Sequence, residues 1–304
     1  MDRELTAELV AERFARAATV KTNPVCEVRT DGTYYYKLDT RPGHGFAGEL
    51  RAAKLLEARN VPVVEHLWCG DIPAGNVLVT RALRDAPTVK EVLAHRVPDA
   101  EFRRKFAEFV RAYLASGLDH DDMHVGNILY PVAEKRFVLV DVRAVRSSRR
   151  GKYPYEICRA PMELRKHLSK AEVCAMLEVV GIPDPDRFFE RSLEIEARRI
   201  NRAWPKRRAQ ILGGYLRFTR REGKMLVAAE ASPEDIRNLS WRPGSAAAFV
   251  SAFYWDLAEI PAAERILAFD PERRTIGVAP ALFPTPLAPE ELELRRRILA
   301  ETAC

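Results

Sequence analysis

Apolar residues recur at helical spacing over positions 4–17 (ELTAELVAERFARA), which predicts an amphipathic helix. The texture then changes. β-Branched and aromatic residues at 25–29 and 33–38 flank Asp31-Gly32, a dipeptide that tolerates positive φ, so this stretch reads as a β-hairpin. A link containing Pro and Gly follows at 41–45. Residues 46–59 (FAGELRAAKLLEAR) then place Leu50, Ala53 and Leu56 on one helical face, and the run ends near Asn60 and Pro62. The apolar run 77–80 (VLVT) reads as a strand, so 20–83 is expected to be a small sheet with one helix. Helical periodicity returns at 88–93 and again at 100–115, where Phe102, Phe106, Phe109, Val110 and Tyr113 form a stripe that stops at Gly117. Residues 117–130 are dense in Asp and His, and 136–142 (RFVLVDV) read as a buried strand ending in a carboxylate. From about 156 the pattern is mostly helical, with breaks near 181–185, 213–214 and 241–244.

Composition narrows the class. With 304 residues, 47% hydrophobic and 30% charged, the chain has core enough for two lobes and is neither disordered nor collagen-like. Residues 1–18 mix acidic and basic side chains through their apolar positions, unlike a secretory signal. No window approaches the ~18 uninterrupted apolar residues of a membrane span, since even the most apolar stretch, 246–257, contains Asp256. A cytoplasmic location is therefore expected. The five cysteines form no CxxC pair or Cys/His cluster, which argues for reduced thiols and against zinc or a disulfide framework. The net charge of +6 is unevenly placed: residues 143–221 hold 20 Lys and Arg against 9 Asp and Glu, and the last 83 residues are net acidic. A basic block of this kind attracts phosphate-rich or acidic partners.

Four features carry candidate chemistry, in fixed order. Lys37 lies near the end of a strand and Glu49 in the next helix; His120-Asp121-Asp122-Met123-His124-Val125-Gly126-Asn127 fills the loop after the long helix, and Asp141 ends a strand. A strand lysine or a loop carboxylate alone is usually a solvated side chain or a turn cap. Together these residue types suit phosphoryl transfer, which needs positioned charge around a triphosphate and an aimed hydroxyl.

The spacing of His120, Asp122 and Asn127 is similar to the H-x-D-x-x-x-x-N catalytic loop of the protein-kinase-like superfamily, whose metal-binding Asp lies on a following strand as Asp141 does. The segment 122–129 (DMHVGNIL) resembles sugar and small-molecule phosphotransferases. The stretches 78–93 (LVTRALRDAPTVKEVL) and 141–146 (DVRAVR) resemble the bacterial lipopolysaccharide core kinases, which phosphorylate heptose or Kdo sugars. The resemblance covers about residues 20–150. It implies an α+β, bilobal protein-kinase-like fold, with a small antiparallel sheet and its helix in an N-lobe (1–83). The C-lobe (84–304) would be larger and mostly helical, carrying a catalytic loop at 117–130 and a metal-binding strand at 136–142.

The resemblance also implies ATP and Mg²⁺ as cofactors and assigns roles. Asp122 is the base, with Asn127 and, more architecturally, His120 beside it. Asp121 is excluded as the base by its distance from Asn127. Lys37, held by Glu49, serves the α- and β-phosphates, with Glu57 as a rival for Glu49. Asn127 and Asp141 offer oxygen to Mg²⁺. Adenine is expected against the backbone of Arg81, Ala82 and Leu83. Two departures stand out. The first hairpin carries Lys21-Thr22-Asn23-Pro24 where such enzymes have a Gly-rich phosphate cover, so Lys21 or Thr22 would have to substitute; and Asp141 is followed by Val142-Arg143.

The basic residues Arg143, Arg146 and Arg149, with Arg150 and Lys152, are expected on the acceptor side of the cleft, binding an anionic sugar or glycolipid. With the second cluster at 198–208 they also suit peripheral contact with an anionic inner-membrane surface. Nucleic acid is not expected as a partner. The alternatives are a small-molecule phosphotransferase of the aminoglycoside or choline type, a protein kinase, and a non-catalytic binding protein on the same fold.

Overall fold

The computed structural model describes residues 5–23, 25–41, 45–95, 97–120, 122–147, 154–215, 218–257, 264–280 and 289–301. It is a mixed α+β chain of two compact units. The first comprises Met1–Leu93, Asp99–Pro161 and Val179–Gly181, the second Ala94–Pro98, Met162–Glu178 and Ile182–Cys304. The division does not fall at residue 83: the 117–142 region belongs with the N-terminal sheet.

The first unit opens with α1 (Ala7–Arg16), capped by the Thr6 hydroxyl accepting from the Leu9 N–H. Its apolar face lays Val10 and Phe14 against an antiparallel sheet of β1 (Ala18–Asn23), β2 (Cys26–Thr30), β3 (Tyr34–Asp39), β4 (His66–Ile72) and β5 (Gly75–Arg81), in the order β1-β2-β3-β5-β4. Tyr34, Tyr36, Val77 and Val79 complete that core. The Asp31-Gly32 turn forms between β2 and β3. Gly32 takes a φ of +83°, and Asp31 Oδ1 accepts the Thr33 and Tyr34 N–H groups at 2.9 and 2.8 Å.

The sequence pattern leads to three of these five strands. β1 is an edge strand whose described side chains are all exposed, so it has no apolar alternation to read. β4 is interrupted by Gly70, where a Cβ would come within 2.7 Å of the Trp68 ring; the glycine is required by that close approach.

Between β3 and β4, α2 (Ala47–Glu57) buries Glu49, Ala52, Ala53 and Leu56. After β5 come α3 (Val89–His95) and α4 (Ala100–Ala115), whose aromatic stripe is buried as its spacing predicts. Phe102 and Phe106 pack with Tyr130 and Phe137 at centroid distances near 5 Å. Two short antiparallel pairs follow: β6 (Leu118–His120) with β9 (Val145–Ser147), and β7 (Ile128–Leu129) with β8 (Val138–Leu139). α5 (Pro154–Glu163) follows them.

The remaining elements begin with α6 (Lys170–Val180) and α7 (Pro185–Gly213), a helix of 29 residues ended by Gly214 at φ +75°. The C-terminal region is largely helical, as expected, but it also holds strands that the sequence pattern did not show. The second unit contains its own five-stranded antiparallel sheet, built from β10 (Thr219–Glu222), β11 (Met225–Ala228), β12 (Ser240–Pro243), β13 (Glu264–Asp270) and β14 (Thr275–Pro280). With α8 (Pro233–Arg237), α9 (Ala246–Leu257) and α10 (Pro289–Glu301) it forms an α+β unit. One sheet face packs Leu226, Phe269, Ile276 and Val278 with Ile211 of α7 and Phe249 and Val250 of α9. Its other face buries Val227, Leu267 and Ala268 with Ala231 and Leu239. Strands covered on both faces lack the period-two alternation that signals a half-buried strand. Among the described residues, no helix is long and apolar enough to cross a membrane.

The α4 stripe gives a direct stability test. Phe106 is fully buried against three other aromatic rings, so Phe106→Ala should destabilise the chain by about 3–5 kcal/mol, read as a lower midpoint in chemical denaturation.

Candidate functional site

All the residues assigned to the triphosphate, the base and the metal lie in the first unit, and backbone pairing brings them together. After α2 the chain runs alongside β8: Val64 N–H donates to Leu139 O and Leu139 N–H to Pro62 O, both at 3.0 Å. The helix that carries Glu49 is thereby tied to the strand that leads into Asp141. Val140 N–H donates to Asn127 O at 3.0 Å, and β7 pairs with β8, so the 120–127 loop and the 140–144 loop are neighbours. β6 pairing with β9, with His120 opposite Val145, closes the same arrangement from the other side.

Lys37 is the hub. Its Nζ lies 3.2 and 3.0 Å from the two Glu49 carboxylate oxygens and 2.8 Å from Asp141 Oδ1, with the Phe46 ring 5.4 Å away. Burial alone would strip the charge from Lys37. The two carboxylates outweigh it and hold the ammonium above its ordinary pKa. Burial pushes Glu49 above the usual carboxylate range even with Lys37 opposing it. Asp141 goes the other way: burial would raise it, but Lys37, with His120 and Lys21, holds it below the ordinary value. Glu57, the rival for Glu49, is exposed at the far end of α2.

Asp141 takes a left-handed backbone conformation, φ 53° and ψ 55°, which Asp tolerates better than most residues, and its carboxylate is half-exposed beside Lys37. Asn127 is buried. Its Nδ2 donates to Asp122 O at 3.0 Å and lies 3.4 Å from Asp122 Oδ2, which leaves its carbonyl oxygen as the free acceptor. Two such oxygen donors suit a hard divalent cation that keeps its waters and shares phosphate oxygens. Among the described residues, no cluster of three His, Cys, Asp or Glu side chains could hold a metal ion by itself.

The Asp122 carboxylate is exposed. His120 is buried, and its Nδ1 accepts the Asp122 N–H at 3.1 Å, so it shapes the loop from beneath. Lys21 and Thr22 lie exposed on the β1 edge strand, opposite Val28 and Glu27.

Other expectations need adjustment. The Arg81 N–H donates to Glu65 O at 3.0 Å and the Ala82 N–H to Thr33 O at 2.9 Å, so these two amides of the backbone expected to meet adenine are used inside the fold. The Arg81 side chain pairs with Glu65 and lies over Tyr34. Arg143, expected on the acceptor side, comes within 3.7 Å of the buried Asp39 carboxylate, which also accepts the Arg41 N–H at 2.9 Å. The Arg146 side chain, Arg149, Arg150, Lys152 and Asp121 lie outside the described residues.

Three residues escaped the sequence reading. Asp39 reads as an ordinary strand-end acid, and Phe46 as the first apolar residue of α2. His124 was visible only as one more member of an Asp/His-rich loop. No known protein-family model matches the chain, and neither does any curated protein sequence.

The Lys37 hub yields a pH-dependent prediction. Glu49 binds its proton more tightly in the folded chain than in the unfolded one, so folding weakens as pH rises past the ordinary carboxylate value, and Lys37 opposes that loss. Lys37→Met should therefore destabilise the chain by about 3–5 kcal/mol at pH 8. The loss relative to wild type should shrink toward pH 5 as Glu49 takes up a proton, measured by urea denaturation at both pH values.

Proposed function

We propose that the chain is an ATP-dependent phosphotransferase of protein-kinase-like architecture, moving the γ-phosphoryl group to a sugar hydroxyl. The observation that carries this reading is that residues drawn from over a hundred positions of chain form two contact sets, Lys37 with Glu49 and Asp141, and Asn127 with Asp122, on loops joined by the Val140 N–H to Asn127 O hydrogen bond. Structural ion pairs do not need a left-handed aspartate, a half-exposed carboxylate and an adjacent base presented to solvent.

In this reading Lys37, locked by Glu49, offers its ammonium to the α- and β-phosphates, so no side-chain entropy is lost when nucleotide binds. Asn127 and Asp141 would hold Mg²⁺, which when bound neutralises phosphate charge and orients the triphosphate. Asp122 accepts the proton of the acceptor hydroxyl as its oxygen bonds to the γ-phosphorus. The bond from that phosphorus to the bridging oxygen breaks, and ADP leaves with the electron pair. Lys21 lies close enough to Asp141 to influence it, which supports its serving in place of a glycine-rich cover over the phosphates.

The finer assignment is to a lipopolysaccharide-type core sugar, heptose or Kdo, or a related anionic glycan. It rests on the resemblance of 78–93 and 141–146 and on the excess of basic residues over 143–221. With Arg143 turned toward Asp39, anion recognition would fall to the other basic residues of that block, Arg159 beside the catalytic loop among them.

Asp122→Asn should reduce transfer of labelled γ-phosphate to a sugar acceptor by about 10²–10⁴-fold while ATP affinity, measured by calorimetry, is retained. Undiminished transfer overturns the assignment of Asp122. In a parallel acceptor screen, anionic sugars should be phosphorylated and cationic aminoglycosides or choline should not; the reverse outcome moves the chain to the small-molecule phosphotransferases.

A further inference from the structure

We infer that His124 is a positioning residue for Asp122: its ring lies beside one oxygen of that carboxylate while Asn127 contacts the other, so that the two limit how the base can turn. This inference rests on the phosphotransferase reading and adds a residue to it. His124 Nδ1 accepts the Gly126 N–H at 3.0 Å, which leaves the proton of a neutral ring on Nε2. That Nε2 lies 3.7 Å from Asp122 Oδ1, and Asn127 Nδ2 lies 3.4 Å from the other oxygen, Oδ2. Catalytic contacts of this length commonly tighten once substrate is bound.

The local sequence is cut to admit the ring. A Cβ at position 126 would meet His124 Cε1 at 2.9 Å and Nδ1 at 3.0 Å, closer than a side chain can approach. Gly126 is not at positive φ, so its glycine is explained by the ring lying against it and not by backbone conformation. His124 also begins the 3-10 turn Val125–Asn127, so the residue that reaches Asp122 Oδ1 fixes the start of the turn that delivers Asn127 to Oδ2.

Among the described residues, the charged groups that act on the ring are Asp122 and Asp141 on one hand and Arg159 and Lys90 on the other. Nδ1 accepting the Gly126 N–H is the arrangement of a neutral ring, which acts by hydrogen bonding; burial, the largest influence, with the two cations also holds His124 below its ordinary value. A neutral donor orients Asp122 without neutralising it. A charged one would compete for the carboxylate with the incoming hydroxyl.

Three variants and a spectrum test this. His124→Phe keeps the ring volume and removes the donor; it should lower kcat about 10–100-fold with KM for ATP within about twofold of wild type. His124→Gln, whose amide can reach Asp122, should recover most of that loss. Gly126→Ala should lower kcat in the wild-type background by pushing the ring away. It should have little further effect in a His124→Ala background, where no ring is left to displace; a role for Gly126 in folding alone would persist in both. Independently of turnover, ¹⁵N spectra of histidine-labelled wild-type protein should show His124 as the Nε2–H tautomer. An Nδ1–H tautomer, additive Gly126 and His124 effects, or a His124→Phe variant with wild-type kcat each overturns the inference and leaves the phosphotransferase reading standing. A wild-type chain that transfers no phosphate to any acceptor, with Asp122→Asn indistinguishable from it, overturns that reading and the inference with it.

Discussion

The pairing of Lys37 with Glu49 in a largely buried position is the constraint on which the site depends. Glu49 is almost completely enclosed by α2 and the sheet, and an isolated carboxylate there would be strongly disfavoured. The ammonium makes the burial tolerable. In return the carboxylate takes a flexible four-carbon side chain and holds its tip at one point. Asp141 completes the group from a third element, so one cation is shared by two anions, and the group as a whole is one negative charge in excess.

Everything around the triad serves to bring three distant segments to it. The run after α2 adds to β8 as a parallel bridge at Val63 and Leu139, so Glu49 and Asp141 are fixed relative to each other by backbone hydrogen bonds. The 120–127 loop is fastened to the 140–144 loop by the Asn127 carbonyl, by β6 with β9 and by β7 with β8. Backbone pairing of this kind is stiffer than side-chain packing, and it sets the positions of Asp122, Asn127 and Asp141 without using their side chains. The loop beneath them is held by His120 under its backbone and by His124 against Gly126. His120 thus holds the Asp122 backbone, and His124 lies 3.7 Å from its carboxylate.

Local pattern was a good guide where an element meets water on one face and core on the other. α1, α2, α4 and the β2–β3 hairpin are all of this type, and their apolar spacing is the signature of that geometry. It failed at both extremes. β1 has no buried face, and β11 and β13 are covered on both, so neither shows alternation; the second sheet went unread for that reason. The site followed the same logic. Asp122, Asn127 and Asp141 stand at fixed spacing on short stretches and are legible as letters. His124 owes its place to Gly126 and Arg143 owes its place to Asp39, relations that spacing does not express.

What the sequence by itself determined was an inventory: which residue types are present, in what order, on helices, strands or loops. Side-chain chemistry and local backbone preference are properties of short segments, so an amphipathic helix, an Asp-Gly turn and an aspartate-rich loop carry their meaning wherever they sit. Only the tertiary structure decided between Glu49 and Glu57 for Lys37, took the amides of Arg81 and Ala82 into the fold, and turned Arg143 toward Asp39. Each of those outcomes depends on which groups lose water together. Desolvation is a property of the packed whole, and no window of sequence contains it.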